Sequence, residues 1–174
     1  MPAEIIDGVA IARAIREEAA EKVRDLTARG VRPGLAVVLV GEDPASIVYV
    51  RSKGKACHEA GMHSVTITLQ ATTSQEELLR VVEKLNADSA IHGILVQMPL
   101  PKHLDADAVI RAIDPRKDVD GFHPVNVGKL LIGERDGFVP CTPAGIQEML
   151  KRSGVPTSGA ECVIVGTPDR FSIS

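Results

Sequence analysis

Apolar residues recur at helical spacing from about Val9 to Arg29. Ala12, Ile15, Ala19, Val23 and Leu26 form one stripe among charged positions, and Gly30 ends it. Three short apolar runs then read as strands: Leu35 to Val40, Val65 to Leu69 and Gly93 to Val96. Pro44 opens a helix that runs to Ala60, because its missing N–H costs nothing in a first turn, and Gly61 follows as the stop. Ser74 and Glu77 make a capping box for a helix that turns Leu78, Val82 and Leu85 inward. Asp105 caps a further helix to Ile113, and Asp114 to Val139 reads mainly as loop. Thr142 as N-cap and Pro143 as the first helical residue predict a last helix to Arg152. Strands alternating with helices predict an α/β fold with a parallel sheet and right-handed crossovers.

The 174 residues suffice for one full domain, or one domain and the start of another. A net charge of −3 without a basic run speaks against nucleic acid and anionic membranes as partners. No apolar stretch approaches membrane-span length, and no secretory signal is visible. Cys57, Cys141 and Cys162 have no paired spacing, which fits a reducing, cytoplasmic compartment. The five histidines are scattered, so no metal site is expected. Aromatic residues make up 2% of the chain, so the core must be aliphatic and Tyr49 stands out.

Tyr49 and Lys53 are four residues apart on the predicted Pro44 helix and share one face. An aromatic surface beside an amine suits chemistry on a planar substrate; an amphipathic helix with a solvated lysine has the same spacing. Lysine transfers protons near neutral pH when burial or a neighbour lowers its pKa. Gln97 closes the strand Gly93 to Val96, at the end where open α/β sheets bind ligands, and Pro99 and Pro101 stop further pairing. Asp118, Asp120 and Gly121 sit with Lys117 in a loop whose carboxylates could accept paired N–H donors from a heterocycle, or simply form an acidic turn. The D-x-D-G pattern lacks the later ligands of a calcium loop.

The order of these segments resembles the bifunctional methylenetetrahydrofolate dehydrogenase/cyclohydrolase family. The matching residues are Gly41 to Ser46, Tyr49 to Lys53, Gln97 to Pro101, Lys117 to Gly121 and Pro140 to Gly145, within a resemblance from about Ile5 to Gly166. The resemblance implies oxidation of 5,10-methylenetetrahydrofolate with NADP and hydrolysis of the methenyl product to 10-formyltetrahydrofolate, in the one-carbon metabolism that feeds purine biosynthesis. It implies Lys53 as the catalytic lysine, Gln97 as its orienting partner and Tyr49 as the ring along the folate. Asp120 would bind the pterin N–H groups, and Ser46 and Pro99 would line the pocket. It also implies a cytoplasmic homodimer.

The resemblance divides the chain into a folate-binding catalytic domain, 1–139, and the opening of a Rossmann-like NADP-binding domain, 140–174. Gly166 is the one residue matched to the cofactor turn. From Thr167 the family pattern is lost. The chain as written is therefore expected to lack dehydrogenase activity, for want of a phosphate-cradling turn and helix. An apolar strand at Cys162 to Val165 without flanking strands predicts self-association. The alternatives are a folate-binding fragment without redox activity and a non-functional remnant pairing with full-length subunits.

Overall fold

A computed structural model describes residues 5–163. Three parallel strands, β1 (Gly34–Val40), β2 (His63–Leu69) and β3 (Gly93–Val96), form a sheet in the order β2-β1-β3. β1 lies in the middle, with Val38 opposite Ile67 on one side and Val96 on the other.

The chain leaves β1 through α2 (Pro44–Glu59), which packs Val50 and Ile47 against Val37, Leu39 and Leu95 on one face. After β2, α3 (Gln75–Ala87) and later α4 (Ala106–Ala112) cover the opposite face. There Leu78, Val82, Leu85 and Val109 meet Ala36, Val38, Ile94 and Val96. β1 and β3 are buried on both faces, which is why they read as unbroken apolar runs. The connections leaving the neighbouring strands β1 and β3 go to opposite faces, to α2 and α4, which opens a crevice beyond their carboxyl ends.

Local signals account for most boundaries. Asp43 caps α2, its carboxylate accepting from Ser46 N–H at 2.8 Å, with Pro44 next. Both halves of the Ser74–Glu77 capping box form, at 3.2 and 2.9 Å. Ser74→Ala is expected to cost about 1 kcal/mol, read as a lower urea midpoint at unchanged slope.

Four expectations change. The segment after Asp114 is not mainly loop: it contains α5 (Pro124–Ile132), capped by the His123 side chain and closed by Gly133 at φ +82°. The last helix, α6 (Cys141–Arg152), starts earlier than Thr142; Pro140 precedes its first turn, with no side-chain cap. In α1 (Gly8–Ala28) only Val23 of the predicted stripe is buried, while Ile15 and Leu26 stay exposed, because α1 touches little of the sheet. Cys162 and Val163 form no strand; the remainder of that predicted strand lies outside the described residues, as does Gly166.

Candidate active site

Lys53 is carried by α2 on the face toward the crevice. Its ammonium group donates to Gln97 Oε1 at 3.1 Å, across 44 residues of sequence. Gln97 stands just beyond β3, where its backbone N–H still bonds Val38 O at 2.8 Å, continuing the ladder by one residue. Its own amide donates to Met98 O at 2.8 Å, which turns the oxygen toward the lysine. The amine is thus held at the ends of two adjacent strands. Tyr49, one turn before Lys53, is 62% exposed, so its ring is open to a ligand.

Asp120 comes from the loop that follows α4. This loop runs beside β3: Ile94 N–H bonds Lys117 O at 2.7 Å, and Ile94 bridges Asp118 in parallel register. Asp120 is half-buried, and burial pushes its carboxyl above the usual carboxylate range. Lys53 opposes that rise and the Asp118 carboxylate adds to it. Lys53 and Asp120 therefore lie within electrostatic reach of one another.

Lys117 is placed differently. Its ammonium donates to the carbonyls of Leu85, Asn86 and Asp88, at 3.1, 2.8 and 2.8 Å. It closes the carboxyl end of α3, where orphan carbonyls and the helix dipole favour a cation. Of the two pocket-lining candidates, Ser46 is 3% exposed inside the first turn of α2, whereas Pro99, after a cis peptide bond from Met98, is exposed.

Asp118, already named with the acidic loop, and two residues beyond the sequence-derived candidates, Asn126 and Cys141, belong to this neighbourhood. Asp118 is 2% exposed and accepts from His123 N–H and Asn126 Nδ2, both at 2.8 Å. Asn126 is the buried residue of α5. Cys141 opens α6 with its thiol turned toward Val119 O at 3.4 Å. Although Cys141 is exposed as a residue, desolvation of its thiol and the nearby Asp120 push that thiol above its ordinary pKa, with Lys53 opposing. Asp118 and Cys141 lie inside matched motifs, whereas no local pattern marks Asn126. Among the described residues no cluster of His, Cys, Asp and Glu could hold a metal, and no helix is long and apolar enough to cross a membrane.

A half-buried amine fixed by an amide, an exposed aromatic ring one helical turn before it and a partly desolvated carboxylate within its electrostatic reach make up the candidate site. The amine can pass protons, the ring can stack, and the carboxylate can accept a pair of N–H donors.

Comparison with known proteins places the chain in a family. Residues 6–120 match the profile described as tetrahydrofolate dehydrogenase/cyclohydrolase, catalytic domain. The chain is 55% identical to the bifunctional protein FolD of Acetivibrio thermocellus over 166 residues, which are 95% of this chain and 58% of the relative. It is 59% identical over 162 residues to bifunctional protein FolD 2 of Geobacter metallireducens, covering 93% and 56%. The methylenetetrahydrofolate dehydrogenase-cyclohydrolase (FolD) of Trypanosoma brucei, solved with NADP cofactor and inhibitor, superposes with a TM-score of 0.87 at 45% identity, over 91% of this chain and 55% of that one. The chain spans somewhat more than half the length of these relatives.

Proposed function

Because the chain belongs to the tetrahydrofolate dehydrogenase/cyclohydrolase family, we propose that its crevice binds reduced one-carbon folates and carries the hydrolysis of 5,10-methenyltetrahydrofolate to 10-formyltetrahydrofolate. The observation that carries this reading is the Lys53–Gln97 contact at 3.1 Å within reach of Asp120.

In the hydrolytic step, water adds to the methenyl carbon, forming a C–O bond and releasing a proton. The hydroxyl then gives up its proton as the formyl C=O forms and the bond from that carbon to N5 breaks; its electron pair goes to N5, which takes up a proton, so one proton is released in the net reaction. Lys53 serves as the group that passes these protons, and Gln97 keeps its amine at the reacting carbon. Tyr49 stacks on the folate ring system. Asp120 accepts the pterin N–H donors and sets its orientation, and the exposed Pro99 borders the pocket, while Ser46 stays buried in the first turn of α2.

For the family's dehydrogenase reaction the hydride acceptor would be NADP, the cofactor of the Trypanosoma brucei structure. Gly166, the residue matched to its binding turn, lies outside the described residues, and the folate-side groups are those the described crevice provides. A boundary near 139/140, a homodimer and a cytoplasmic location are part of this reading.

Asp120 decides the folate assignment. Asp120→Ala leaves the ligand's N–H donors unpaired and is expected to weaken binding of 5,10-methenyltetrahydrofolate by about 1–3 kcal/mol, measured by calorimetry on folded protein. Unchanged affinity would remove Asp120 from the site.

A further inference from the structure

We infer that Asn126 is a positioning residue for Asp120, acting through the buried carboxylate of Asp118; the inference rests on the assignment of Asp120 as the folate-binding carboxylate. Asp120 occupies the third position of a turn from Asp118 to Gly121, closed by Gly121 N–H to Asp118 O at 3.2 Å. Where Asp120 points is therefore set by how firmly Asp118 is held.

Asp118 is held through its side chain. Its Oδ2 takes N–H donors from His123 and from Asn126, each at 2.8 Å, in a place 2% exposed to solvent. Asn126, 3% exposed, spends its whole amide on this part of the chain. One Nδ2 hydrogen goes to Asp118 and the other to Pro115 O at 2.9 Å, while Oδ1 accepts Phe138 N–H at 3.3 Å. One side chain on α5 thus ties the residues before the turn, the turn itself and the irregular segment 138–140 that lies against Gly121.

Lys117 braces the other flank, by its bonds to the end of α3 and by the bridge from its carbonyl to Ile94. Asn126 is too buried to meet a ligand, so its influence on binding must pass through the turn. A buried carboxylate tied by N–H donors is costly to leave half-satisfied. The turn therefore has one arrangement while Asn126 is in place, and several once it is gone.

The test measures affinity for 5,10-methenyltetrahydrofolate by calorimetry on the full chain, with folding followed by circular dichroism and thermal melting. Asn126→Ala is expected to weaken binding by about tenfold in protein that remains folded. Asn126→Asp should be at least as weak, since it sets two carboxylates against each other. The exchange variant carrying Asp118→Asn with Asn126→Asp restores one N–H to carboxylate bond in reversed polarity, and should return to within about threefold of the parent. A merely structural role would lower the melting temperature of each variant without this recovery of affinity.

Folded Asn126→Ala with parental affinity, or an exchange variant as weak as Asn126→Asp, would overturn the inference. Should Asn126→Ala not fold, the exchange variant decides: folded and tight-binding supports the inference, unfolded or about tenfold weaker overturns it. Asp120→Ala separates the two layers. If it binds as the parent does, the assignment of Asp120 fails; if it binds weakly while folded Asn126→Ala does not, only the positioning role fails.

Discussion

Lys53→Met is expected to reduce hydrolysis of 5,10-methenyltetrahydrofolate by about 10²- to 10⁴-fold, the span that a positioned acid–base group contributes. Methionine has nearly the length of lysine and fills the same space on α2, so the fold should be retained. It offers no proton and leaves Gln97 Oε1 without the donor it has at 3.1 Å. Folate affinity should change much less than the rate, because Tyr49 and Asp120 remain. Gln97→Ala should lie between parent and Lys53→Met, since the amine stays but loses the group that orients it. The measurement is the initial rate of methenyl hydrolysis at saturating folate for the three proteins. A Lys53→Met protein that hydrolyses at the parental rate would show that the proton passes through another group.

Gly121→Ala is expected to be among the most damaging changes in the loop. Gly121 sits at φ +69°, and a Cβ there would lie 2.8 Å from both Pro140 N and Val139 C and 3.0 Å from Phe138 O. A left-handed conformation costs an alanine about 1–2 kcal/mol, and the overlap is with backbone, which cannot rotate aside as a flexible side chain can. The loop must part from the segment leading to α6. Both effects fall on the residue beside Asp120, so we expect a lowered melting temperature together with loss of measurable folate binding. Thermal melting and calorimetry on the purified variant check this. A Gly121→Ala protein with parental stability and affinity would mean that the loop yields at no cost.

What the sequence determined by itself was local in origin. Pro44 and Gly61 bound α2, Ser74 and Glu77 start α3, and the apolar runs of β1 and β3 mark strands buried on both faces. Each signal lies within a few residues of its effect, since caps and periodicity act over one or two turns. The family was legible for the same reason, from short motifs in a fixed order. α5 is equally signalled, by His123, Pro124 and Gly133, but its short span between turn residues has the local look of a loop. At α6 the Thr142-Pro143 pair gave a plausible start, yet the first helical residue is Cys141, two residues earlier than Pro143, after a proline that supplies no side-chain cap.

Only the tertiary structure decided which polar groups meet. Lys53 and Gln97 are paired because α2 packs across β1 and onto the end of β3. Lys117, which stands beside the acids in sequence, instead closes α3, because the loop lays it against three carbonyls from another helix. The apolar stripe of α1 promised burial, but a stripe is buried only where another element covers it, and only Val23 is. Asn126 carries no local mark at all, and nothing in the Lys117 to Gly121 motif tells the structural Asp118 from Asp120. A carboxylate and an amide become a structural pair when distant segments exclude water around them, and that exclusion is a property of the assembled fold.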